Sequence, residues 1–104
     1  MGTNKRYAER VDQAMDERII ERFVQTAGPL QSLTPEELQL DRVPMTVYPA
    51  GVQAQVVAWV RFGPQHTQVR ARVVRSTEKA AGIEFAVRGT TYRCWVWGNA
   101  VTLA

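Results

Sequence analysis

Four arginines and two tryptophans, Arg61, Arg70, Arg72, Arg93, Trp95 and Trp97, are the side chains of this 104-residue chain whose types and spacing best suit recognition chemistry. Guanidinium groups make planar, forked hydrogen bonds to phosphate, and indoles offer faces on which unpaired bases stack. The same two residue types also dominate the energetics of protein interfaces. Nucleic acid is therefore the favoured partner, and a protein partner is the alternative.

Catalysis is a poorer fit. His66 is the only histidine, and it follows Gly63-Pro64-Gln65 in what reads as a hairpin loop. Cys94 is the only cysteine, and its place in the apolar alternation puts it inside, away from a loop histidine that would have to activate it. Beyond residue 42 the only acidic residues are Glu78 and Glu84, too few for a convincing carboxylate pair. A glycine-rich phosphate loop and Cys/His metal spacing are both missing from the sequence. No catalytic residue, metal or cofactor is expected.

Charge is divided along the chain. Residues 1–42 carry six basic and eight acidic side chains, a balance of −2, whereas residues 43–104 carry seven basic and two acidic, a balance of +5. An anionic ligand belongs with the second part. Eleven of the thirteen basic residues are Arg, a bias that a GC-rich bacterial genome also produces. A lone cysteine excludes an internal disulfide and suits a reducing cytoplasm. No apolar run approaches the ~20 residues of a membrane span. The opening MGTNKRYAER has no apolar leader core, and Arg6 stands where a myristoylation signal wants Ser or Thr.

Periodicity shows which elements carry these residues. From residue 52 onward apolar side chains alternate. Val56, Ala58 and Val60 form one strand face, followed by Val69, Ala71 and Val73, then Ile83, Phe85 and Val87, then Tyr92, Cys94 and Val96. Gly63-Pro64 breaks the first strand from the second, residues 76–81 read as a loop, and Arg88-Gly89-Thr90 reads as a tight hairpin with Gly89 at positive φ. Gly98-Asn99-Ala100 interrupts the pattern before a short closing strand over residues 101–103. The opposite parity collects Val57, Trp59, Arg61, Arg70, Arg72, Val74, Arg93, Trp95 and Trp97 on one outer face.

Ahead of the strands, residues 4–27 show helical spacing, with Asn4 as cap and Gly28-Pro29 as stop. The apolar stripe drifts around this helix. Ile19, Ile20, Phe23 and Val24 suit docking on the core, while Tyr7, Val11 and Met15 are left for self-association with a second copy. Residues 28–51 form a connector holding four of the five prolines. In it, Thr34-Pro35-Glu36-Glu37 spells a capping box with proline at the first helical position, predicting a short second helix. Residues 45–48 read as a short extended piece.

Three tryptophans on an outer face need a covering. It is internal if the stripe Ile19/Phe23 lies over Val57, Trp59, Val74 and one of Trp95 or Trp97, and external if a ligand covers them.

The strand count and the Gly98–Ala100 break over residues 52–103 resemble the SH3-like barrels, which often place one 3₁₀ turn before the last strand. The acidic loop and groove tyrosines of proline-binding SH3 domains are absent, so that activity is not implied. The stretches MGTNKRYAERVD, Ala58-Trp59-Val60-Arg61 and Arg93-Cys94-Trp95-Val96-Trp97 are similar to small actinobacterial proteins of plasmid or prophage type, a similarity that implies no known activity. The expectation is one α+β domain in which a long N-terminal helix and a short second helix pack on a small five-stranded antiparallel SH3-like β-barrel. Its expected role is that of a non-catalytic cytoplasmic binding module, with nucleic acid slightly ahead of a protein partner or homodimer, and with no membrane.

Overall fold

The computed structural model describes residues 17–104. Mixed α+β architecture is present, and most of it is β. Helix α1 (Glu17–Thr26) and the single-turn helix α2 (Pro35–Leu38) precede a six-stranded antiparallel sheet. Its strands are β1 (Thr46–Val47), β2 (Gln55–Phe62), β3 (Gln65–Ser76), β4 (Ala80–Val87), β5 (Thr90–Trp97) and β6 (Val101–Leu103). The spatial order is β5-β4-β3-β2-β6, and β1 pairs beside the far end of β3. The expected count of five strands is thus corrected to six. No strand pairing joins β5 to β6 or β2, so the sheet is not closed into a barrel by its own ladder among the described residues.

Alternation decides the two faces. Val56, Ala58, Val60, Phe62, Val69, Ala71, Ile83, Phe85, Val87, Cys94 and Val96 are all buried, and Val73 and Tyr92 pack half-buried against them. Strands β2, β3 up to its bulge, and β5 contribute alternate residues to this interior, as does β4 beyond Ile83, which is why apolar and polar residues interleave there. Three rings meet within it. Phe62 sits edge-on to Phe85 and to Tyr92, with centroids 6.4 and 6.3 Å apart, and Phe85 stacks on Tyr92 at 5.5 Å. Edge-to-face and offset stacked pairs are the favoured arrangements of ring quadrupoles.

Turn chemistry matches the breaks. Arg88 and Gly89 both take positive φ, at 51° and 83°, the signature of a type I′ hairpin turn. Gly98–Ala100 forms a 3₁₀ turn before β6. The Thr34 hydroxyl accepts from Glu37 N at 3.2 Å, and the Glu37 carboxylate accepts from Thr34 N at 2.9 Å, completing the capping box. The Thr77 hydroxyl accepts from Ala80 N at 3.1 Å and closes the β3–β4 turn.

Three local expectations are corrected. Residues Ala50–Val52 form a 3₁₀ turn, so β2 begins at Gln55 rather than at Val52. The β2–β3 turn consists only of Gly63 and Pro64, so His66 lies on β3 directly opposite Arg61 and not in a loop. A β-bulge between Val73 and Arg75 shifts the parity of β3.

Helix α1 docks as its apolar stripe requires, but on the interior rather than on the tryptophan face. Ile20 is 4% exposed and belongs to the core, with Phe23, Val24 and Ala27 packed against it, while Ile19 is 36% exposed. Glu21 pairs with Arg88 at 3.1 Å, tying the helix to the β4–β5 turn. Gly28, at φ 129°, ends the helical run, and the chain then passes tightly over Gly63. The part of the expected helix over residues 4–16, with Tyr7, Val11 and Met15, lies outside the described residues.

Candidate functional site

The residues after α1 build one wall of the site. Leu30 bridges to Phe62, Gln31 N donates to Arg61 O at 2.8 Å, and Gly63 N donates to Pro29 O at 2.8 Å. Two residues on, the same run reaches β5. Leu33 N donates to Trp95 O at 3.0 Å, and Trp95 N donates to Ser32 Oγ at 2.9 Å. Residues 30–33 therefore bind the edges of β2 and β5, which do not pair with each other. Exposed edge N–H and C=O groups seek such partners.

Between these edges opens a cleft of about 340 Å³. Its aromatic walls are Trp59 from β2 and Trp95 and Trp97 from β5; Gln31, Ser32, Arg61 and His66 supply polar atoms. No residue of α1 lines it. The helix thus does not cover the tryptophans; residues 31–33 border them instead. Trp59 is 50% exposed, Trp97 41%, and Trp95 is half-buried. All three indoles keep the outward parity expected of them, and two remain open to solvent.

The polar groups of the cleft are mostly donors. Arg61 Nη2 lies 3.2 Å from His66 Nε2. A guanidinium has no acceptor, so in this contact Arg61 donates and Nε2 accepts. Ser32 Oγ accepts from Trp95 N, which leaves its own proton to give. Among the described residues the lining contains no carboxylate. Aromatic walls of this kind can stack a flat ring, and the donors beside them can hydrogen-bond an acceptor.

The expected arginines divide. Arg61 lines the cleft. Arg72 and Arg93 converge on one carboxylate, because Arg72, Glu84 and Arg93 occupy the same row across β3, β4 and β5. Arg72 Nη2 donates to Glu84 Oε1, and Arg93 Nε donates to Glu84 Oε2 at 2.7 Å. The Arg93 hydrogen bond, opposed by partial burial and reinforced by Arg72, holds the Glu84 carboxyl below the usual carboxylate range. Arg70 lies on the same outer face opposite Val57. Of the six sequence candidates, Arg61, Trp95 and Trp97 share the cleft; Arg70, Arg72 and Arg93 do not line it.

Trp59, His66 and Ser32 were not among those six, yet all line the cleft. Trp59 shares the outward parity of Arg61, two residues away, and that was a usable signal. His66 becomes visible only with the two-residue turn, and Ser32 only with the long-range contact to β5.

Burial pushes the Cys94 thiol up to about 11. Such a thiol is a packed side chain, not a nucleophile at neutral pH. Among the described residues no group of three His, Cys, Asp or Glu side chains could hold a metal ion, and no helix is long and apolar enough to cross a membrane. No family model matches the chain, and neither a curated protein nor a solved structure matches it.

Proposed function

We propose that this protein is a non-catalytic module that binds single-stranded nucleic acid, with an unpaired base in the tryptophan cleft. The observation that carries this reading is the convergence of Trp59, Trp95, Trp97 and Arg61 on one open cleft with no carboxylate among its described lining residues. Stacking on an aromatic side chain contributes roughly 1–3 kcal/mol per base and tolerates any sequence. Arg61, in the same lining, supplies guanidinium donors for a phosphate oxygen of the strand. Arg72 and Arg93 are already shared with Glu84, so their part in phosphate binding is smaller than their number suggests. The 3₁₀ turn before the last strand supports the SH3-like reading, and the buried lone thiol supports a reducing, cytoplasmic setting.

Titration with an oligothymidylate tests the reading. Binding is expected to quench tryptophan fluorescence, to weaken steeply with salt, and to be lost in Trp59→Ala. An absence of binding at low salt refutes it.

A protein partner or self-association is the second reading. It is favoured by Val52 and Leu103, 63% and 76% exposed, on the rim of a separate apolar cleft under β6. Light scattering showing a mass near twice 11.7 kDa would support self-association.

A further inference from the structure

The bulge on β3 decides where one more cation points. Val69, Ala71 and Val73 face inward, so strict alternation would send Arg75 inward too. The register instead slips between Val73 and Arg75, and Arg75 is exposed opposite Gly82. Gly82 in turn lies opposite Trp95. Arg75, Gly82 and Trp95 thus form one row on the outer face. A β-bulge re-aims a side chain at the cost of a ladder position and recurs beside functional sites.

Gly82 leaves the middle of this row open. A Cβ there would stand 3.3 Å from Arg75 Cβ and 3.4 Å from Trp95 Cε2 and Cζ2. The six-membered ring of Trp95 therefore lies across β4 toward Arg75, and Trp95 is also one of the residues that line the cleft. By ordinary strand spacing the two residues stand roughly 10 Å apart, most of which an extended arginine spans. The ion pairs of the neighbouring arginines sharpen the contrast. Arg72 and Arg93 are held by Glu84, and Arg88 by Glu21. Arg75 has no ion pair or side-chain hydrogen bond among the described residues.

We propose that Arg75 is the phosphate contact next to the cleft: the bulge presents it so that a single strand with one base among the tryptophans passes over Trp95 and sets its adjoining phosphate on Arg75. This rests on the nucleic-acid reading of the cleft. It makes Arg75, rather than Arg72 or Arg93, the main electrostatic anchor outside the cleft.

The test uses the full chain, a fluorescently labelled oligothymidylate and a salt series. Arg75→Gln is expected to weaken binding about fivefold at low salt and to lower the slope of log affinity against log salt by about 0.7, the value of one single-strand phosphate contact. Arg75→Lys keeps the charge and is expected to keep the slope. Arg72→Gln is expected to stay within about twofold of the unmodified chain. Because Arg75 is exposed, its variants are expected to keep the far-ultraviolet circular dichroism of the parent. If the parent binds and Trp59→Ala abolishes binding, yet Arg75→Gln keeps the parent slope or matches Arg72→Gln, Arg75 is not the anchor and the cleft reading stands. If the parent does not bind, both fall.

Discussion

A Cβ on Gly63 would lie 2.1 Å from the carbonyl oxygen of Ala27. Gly63 also takes φ 53°, so this position excludes side chains on two independent grounds. The β2–β3 turn and the end of α1 are in contact through bare backbone there. Gly63→Ala is expected to cost about 3 kcal/mol or more, read from the urea midpoint. Gly51→Ala is the control: nothing lies within 4 Å of its would-be Cβ, and its stability is expected to change by under about 1 kcal/mol.

Glu84 confers a pH dependence of known sign. Its carboxyl titrates lower in the folded protein than in the unfolded chain, chiefly through Arg93. Its contribution is therefore complete above the ordinary glutamate value and is lost as pH falls through the lower folded value. The difference in melting temperature between the parent and Glu84→Gln is expected to hold steady from neutral pH to about pH 5.5 and to shrink below about pH 4.5. A difference that grows on acidification would contradict the assignment.

The same substitution reports on binding. Glu84→Gln releases two guanidinium groups from a shared anion. Oligothymidylate affinity at low salt is expected to rise severalfold, with a steeper salt slope. Unchanged affinity would mean that the strand does not reach this row.

Cys94 titrates in the opposite sense. Burial raises its thiol to about 11, so its contribution is present below the unfolded value and disappears as pH rises through the folded one. A thiol reagent at pH 8 is expected to label the native chain only at the rate of opening, and to label it at once in denaturant. Rapid native labelling would place the sulfur at the surface.

Thr34→Ala removes the side-chain half of the capping box that starts α2, the hydroxyl that accepts from Glu37 N, and keeps the backbone N–H that donates to the Glu37 carboxylate. A loss of about 1 kcal/mol in the urea midpoint is expected. Leu38, buried at the other end of this single turn, makes the helix sensitive to its cap.

Much of the sheet was legible because its two faces differ in chemistry. Val56, Ala58 and Val60 could only face one way once Gln55, Trp59 and Arg61 faced the other, and the Arg88-Gly89 turn set where β4 and β5 meet. The bulge had a trace as well: Val73 and Val74 are adjacent apolar residues between Arg72 and Arg75, a break in strict alternation. The sharing of Glu84 between Arg72 and Arg93 follows from register, which alternation alone leaves open. The landing place of α1 and the reach of Ser32 to Trp95 depend on contacts across 63 positions of chain in the latter case, and no local pattern encodes them.

Residues 30–33 join the helix to the rim of the cleft with no slack between them. A ligand seated against that rim braces the whole amino-terminal attachment, and peeling the helix away pulls the rim with it. Occupancy then opposes detachment of the helix, so a tight guest is expected to register as slower proteolysis near Gly28, a residue outside the cleft lining.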